Sequence, residues 1–75
     1  MLSENQNVVL ARDLPEHRLK SGDVGTIVLV HPAGGYEVEF MTLDGETIAI
    51  ASLGEEEIRQ IARREIAHAR GIAAS

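Results

Sequence analysis

Cysteine is missing from the chain altogether, which excludes disulfides and thiolate metal ligands and with them the usual reinforcements of a very small domain. A length of 75 residues leaves room for one domain with a compact core. Stability must then come from packing, within the chain or with a second subunit. Aromatic side chains are nearly absent as well. Tyr36 and Phe40 are too few for the stacking platforms with which RNA and single-stranded DNA binders hold bases. No apolar run approaches the roughly 20 residues that cross a bilayer, and the opening Met1 to Asn7 lacks the basic start and apolar stretch of a signal peptide. The expected location is cytoplasmic. Positive charge is scarce: seven Lys and Arg stand against twelve Asp and Glu, a net charge of −5, which repels a phosphate backbone. The imbalance lies in residues 1–54, with three basic and eight acidic side chains, whereas residues 55–75 carry four of each.

What is present reads mainly as β-structure. Val8 to Ala11 is a short apolar strand, followed by an excursion through Arg12 to Leu19 in which Pro15 cannot donate to a central ladder. Gly22 and Gly25 flank Asp23-Val24 and supply positive φ or close backbone approach for a sharp turn. Thr26 to His31 is a β-branched strand with both faces apolar, which predicts cover on both sides. Pro32 to Gly35 is a hairpin loop. Beyond it Tyr36, Val38 and Phe40 alternate with Glu37 and Glu39, the period of a half-buried strand. Asp44-Gly45 signals a type I′ turn. It leads into a strand from Glu46 to Leu53, with Ile48 and Ile50 on one face. Closure of these strands into a barrel is the economical way to hide their edges.

After Gly54 the pattern changes to a helix over Glu55 to Arg70, stopped by Gly71. Ile58, Ile61, Ala62, Ile66, Ala69 and Ile72 form one stripe, and Arg59, Arg63 and Arg70 form a seam on the opposite side with Arg64 and Gln60 beside it. Glu65 projects into the apolar stripe and needs an Arg or His partner, from this chain or another. The expected architecture is a single domain over 1–75, a small curled antiparallel barrel at about 7–53 with a C-terminal amphipathic helix at about 55–70.

The order of Val8-Leu10, Leu14-Pro15, Gly22-Asp23-Val24-Gly25-Thr26-Ile27-Val28, Tyr36-Glu37-Val38-Glu39-Phe40 and Asp44-Gly45-Glu46-Thr47 resembles a family of small, uncharacterised bacterial and cyanobacterial proteins, a domain of unknown function. The resemblance covers residues 8–53. It implies an SH3-like barrel, an accessory role that includes that of an antitoxin beside a toxin gene, and no catalytic residues to carry over. The turn around Gly22 and Gly25 is also similar to the KOW element of ribosomal and transcription proteins, which binds RNA.

Candidate sites are few. Asp13, Glu16 and His17 would converge on a metal only in a helix, which Pro15 interrupts. The Gly22 to Gly25 turn precedes a strand, whereas a phosphate loop needs a helix N-terminus behind it. Ser21 and Ser52 have no nucleophile-elbow context, and no cofactor or metal is expected. The reading is a noncatalytic interaction module. Its acidic face, built from Glu37, Glu39, Asp44 and Glu46, meets a basic protein partner, while Ile58, Ile61, Glu65 and Ile66 offer a helix face for homo-oligomerisation. The alternatives are nucleic-acid binding along Arg59, Arg63, Arg64 and Arg70, and a structural subunit of a larger assembly.

Overall fold

A computed structural model describes residues 2–72. The chain forms five strands, β1 (Asn7–Leu10), β2 (Val24–Val30), β3 (Tyr36–Met41), β4 (Thr47–Leu53) and β5 (Ile58–Gln60), with 3-10 turns at Pro15–His17 and Glu55–Glu57. They make one antiparallel sheet in the order β4-β3-β2-β1-β5. Mainly β is therefore right, and the expected closed barrel is not. β4 and β5 lie at opposite ends of the order and do not pair, so the sheet keeps two edges.

Local chemistry accounts for each turn. Gly22 takes φ of 98°, a conformation that carries no penalty without a Cβ, and the Asp23 carboxylate accepts the Lys20 amide at 2.8 Å to fix the loop entering β2. Gly25 plays the other part. A Cβ there would lie 2.6 Å from Cγ1 of Val38, so glycine lets β2 approach the core side chains of β3. His31 and Gly35 close the next hairpin, with His31 N donating to Gly35 O at 3.0 Å. The β3–β4 turn departs from type I′. Gly45 has φ of 97°, whereas Asp44 is not left-handed, and Thr42 N donates to Glu46 O at 2.8 Å across a three-residue loop. The Thr42 hydroxyl supplies the rest by donating to Asp44.

One face of the sheet carries the core: Val8, Leu10, Ile27, Tyr36, Val38, Phe40, Ala51, Leu53 and Ile58, closed at the excursion by Leu14 and Leu19. Tyr36, Val38 and Phe40 point inward as their alternation predicts. Bulges redirect two other positions. The register slips between Phe40 and Met41, and Ile48 packs against the core while Ile50 stays on the outer face, so the two isoleucines expected together are split. β2 slips between Ile27 and Leu29, which leaves Val28 and Leu29 exposed. Among the described residues no helix covers the second face of β2.

The predicted C-terminal helix is absent, and the reason is visible at its first turn. Glu55–Glu57 makes a single 3-10 turn, with Glu57 N bonded to Gly54 O at 3.0 Å. Ile58 then enters the core opposite Leu10 as a strand residue. β1 has a free edge that β5 satisfies, and burying β-branched Ile58 there competes with a helix whose stripe would have only the same small core to cover. Residues 61–72 run without regular structure. Arg64 is left-handed at φ of 65°, and the Ala62 amide donates to the Glu65 carboxylate at 2.6 Å. Ile61, Ile66 and the other members of the expected stripe share no helical face, and Ile66 is 93% exposed. Among the described residues no helix is long and apolar enough to cross a membrane.

Candidate functional site

Residues paired across an antiparallel sheet project to the same side. The outer face consequently shows one row of Ile50, Glu39, Thr26 and Asn7 and another of Ser52, Glu37 and Leu29. Glu37 is held by its neighbours. The Ser52 hydroxyl donates to its Oε2, and His31 Nε2 lies 2.7 Å from the same oxygen. These two contacts, Ser52 first and His31 second, hold the Glu37 carboxyl below the ordinary range. The three residues together do not activate a nucleophile. That chemistry needs the hydroxyl to donate to the base, and here the Ser52 hydroxyl and the imidazole both serve one carboxylate oxygen. Glu39 likewise accepts from the Thr47 hydroxyl at 2.5 Å.

Three arginines are engaged elsewhere. Arg12 Nε donates to Glu57 at 2.7 Å, and the Gly54 amide, the larger influence, joins it in holding Glu57 below the ordinary range. Arg70 grips Asp23 with Nε at 2.9 Å and Nη2 at 2.5 Å. Burial raises the Asp23 carboxyl, yet the Arg70 hydrogen bonds and the Lys20 amide together bring it below its usual value. Arg59 forks onto Glu65 at 2.9 and 2.7 Å, and with the Ala62 amide lowers that carboxyl to about 2. Glu65 meets an arginine of its own chain on the surface, and the buried helical stripe that was expected to demand a partner is not there. The arginine seam proposed as a nucleic-acid track is dispersed by the same contacts. Arg59 and Arg70 are ion-paired on different elements, and Arg63 and Arg64 sit in an exposed turn.

What remains is a flank of carboxylates without cations. From Val24 to Ile58 the sequence contains no lysine or arginine, and it contains seven acidic residues. Among the described residues Glu39, Asp44, Glu46, Glu55 and Glu56 have no cationic side chain within ion-pair distance. Asp44 and Glu46 stand at the hairpin end of β4, and Glu55 and Glu56 at its other end. The latter pair borders an open groove of about 770 Å³ whose apolar lining includes Leu2, Val30, Tyr36 and Leu53. Glu55 and Glu56 were missed by sequence reasoning, which assigned them to the first turn of a helix. The signal that finds them is the long stretch without a basic residue.

Fold and surface together define a small all-β protein with an open sheet and an acidic flank. The chain belongs to the family described as Domain of unknown function (DUF4926), whose model matches residues 4–60. The matched span ends with β5. No match is found among curated proteins or solved structures.

Proposed function

We propose that the protein is a noncatalytic interaction module that holds a basic protein partner on its β3–β4 flank. The observation that carries this reading is the partition of charge: Arg12, Arg59 and Arg70 pair with Glu57, Glu65 and Asp23, which among the described residues leaves Glu39, Asp44, Glu46, Glu55 and Glu56 without a cation. Complementary charge steers such a partner and fixes its register. The apolar groove between Leu2, Tyr36 and Leu53 then supplies desolvated contact beside Glu55 and Glu56. An antitoxin that occludes a basic toxin is one form of this function, and a docking subunit of an assembly is another. Glu37 serves more as a fixed wall of the flank than as a contact, because Ser52 and His31 already occupy it.

The test is a titration of the isotope-labelled chain with an oligo-lysine decapeptide and a matched oligo-glutamate decapeptide. The expected outcome is amide shifts confined to residues 37–39, 44–46 and 52–57 with the cationic peptide alone, weakening as salt rises. Replacing Glu46, Glu55 and Glu56 together by Lys should cost about tenfold or more in affinity. Equal response to both peptides, or shifts confined to other surfaces, would remove the acidic flank from the account.

A further inference from the structure

We infer that the free edge of β4 is a strand-docking site, and that its occupant is an extended segment of a partner protein with an uncharged, β-prone centre and Lys or Arg at both ends. This rests on the reading of the acidic flank above and gives it a binding mode.

Three observations converge on β4. It is the terminal strand of the sheet, paired with β3 alone, and no backbone hydrogen bond from a loop or turn among the described residues reaches Thr47–Leu53. It runs for seven residues, Thr-Ile-Ala-Ile-Ala-Ser-Leu, without a charge, a proline or a glycine. Natural edges are blunted by short length, charge, proline or cover. β5, the other edge, has three residues, one of them Arg59. β4 has none of these four protections, its one irregularity being the bulge at Ile48 near the hairpin end, and its row of unpaired amides and carbonyls from Ala49 to Leu53 is a template for one more strand.

Charge decides what that strand is. The uncharged edge is bracketed by Asp44 and Glu46 at one end and by Glu55 and Glu56 at the other, none with a cation in reach among the described residues. A second copy is a poor fit. In antiparallel pairing about Ile50, Asp44 of one copy comes level with Glu56 of the other and Glu46 with Gly54, next to Glu55, and like charges opposed across strands destabilise pairing. A segment with basic residues at both ends meets carboxylates at both ends in either strand direction. Its centre spans about seven residues, or about 23 Å at strand rise. On the inward side it passes the small side chains Ala49 and Ala51 and half-buried Ile48, which leaves room for apolar residues at alternate positions. On the outward side it lies beside Ile50, 55% exposed.

The probe is the synthetic peptide Lys-Arg-Thr-Val-Thr-Val-Thr-Val-Thr-Arg-Lys, added to the isotope-labelled full chain. Two variants accompany it, one with proline at the central Val and one with the four basic residues replaced by Glu. The expected result is that alternate β4 amides exchange about tenfold more slowly with the first peptide, and that each variant binds about tenfold or more weakly. If the proline variant binds as well as the parent and shifts the acidic residues without protecting β4, strand addition is overturned while the acidic-flank reading stands. If neither basic peptide binds, both readings fall. If the Glu-ended peptide binds equally well, the charge assignment of the occupant is wrong. If β4 amides gain protection in the chain alone as its concentration rises, with a matching increase in sedimentation coefficient, the occupant is a second copy and the proposal fails.

Discussion

Gly25 shows how much one missing methyl group controls. It is buried in β2 opposite Val8, and an added Cβ would come within 2.6 Å of Val38 Cγ1 and 2.8 Å of Phe40 Cε1, contacts that both core side chains would have to relieve together. Gly25→Ala should therefore destabilise the fold by about 1–3 kcal/mol, the usual cost of overpacking, read as a lower urea midpoint at unchanged slope. The glycine was legible in the sequence, but as a turn residue. Its neighbour Gly22 takes the positive φ, while Gly25 is required by crowding from residues that follow it by 13 and 15 positions. Contacts of that range leave no mark in the local pattern, which is also why the partners of Glu37, His31 and Ser52, escaped a reading along the chain.

At the scale of elements, period-2 alternation placed β3 correctly and the glycine clusters placed its hairpins. The C-terminal third failed for a definite reason. Ile58 and Ile61 have helical spacing with Ala62, yet a strand of three residues needs only one buried side chain and a free edge to pair with, and β1 offers both. The bulge in β4 split Ile48 from Ile50, which alternation had put on one face, and closure depended on a β4–β5 pairing that no local signal specifies. Oligomerisation through a helix face of Ile58, Ile61, Glu65 and Ile66 has no helix to act through. The turn around Glu65 offers a pH test. Its carboxyl titrates at about 2 instead of the ordinary 4.5, so the Arg59 fork and the Ala62 contact are fully present above 4.5 and are lost as pH falls through about 2. The Ala62 amide resonance should move with a midpoint near the lower value. Glu65→Gln should abolish that step and leave the core amides unmoved.

Considered whole, the molecule separates its charges. The excess negative charge seen in residues 1–54 concentrates further into the run from Val24 to Ile58, while Arg12, Arg59 and Arg70 are held in ion pairs with Glu57, Glu65 and Asp23. In the proposed binding mode the acidic brackets at the ends of β4 have two effects at once: they attract a basic strand, and they oppose edge-to-edge stacking of identical copies. The chain should sediment as a monomer at neutral pH. Neutralising both brackets, with Asp44→Asn, Glu46→Gln, Glu55→Gln and Glu56→Gln combined, should let copies associate through β4 at concentrations where the unaltered chain does not, checked by sedimentation velocity. A variant that stays monomeric would show that another property of the edge keeps copies apart.

The stretch without lysine or arginine also governs how the protein can be handled. Trypsin has no cleavage point between Lys20 and Arg59, so β2, β3, β4 and the second 3-10 turn leave a digest as one long peptide. Lys20 is the only lysine in the chain, and it lies in the loop before β2, a strand that is two places from β4 in the sheet order. An amine-reactive dye placed there would report on an arriving strand while leaving the edge that receives it bare.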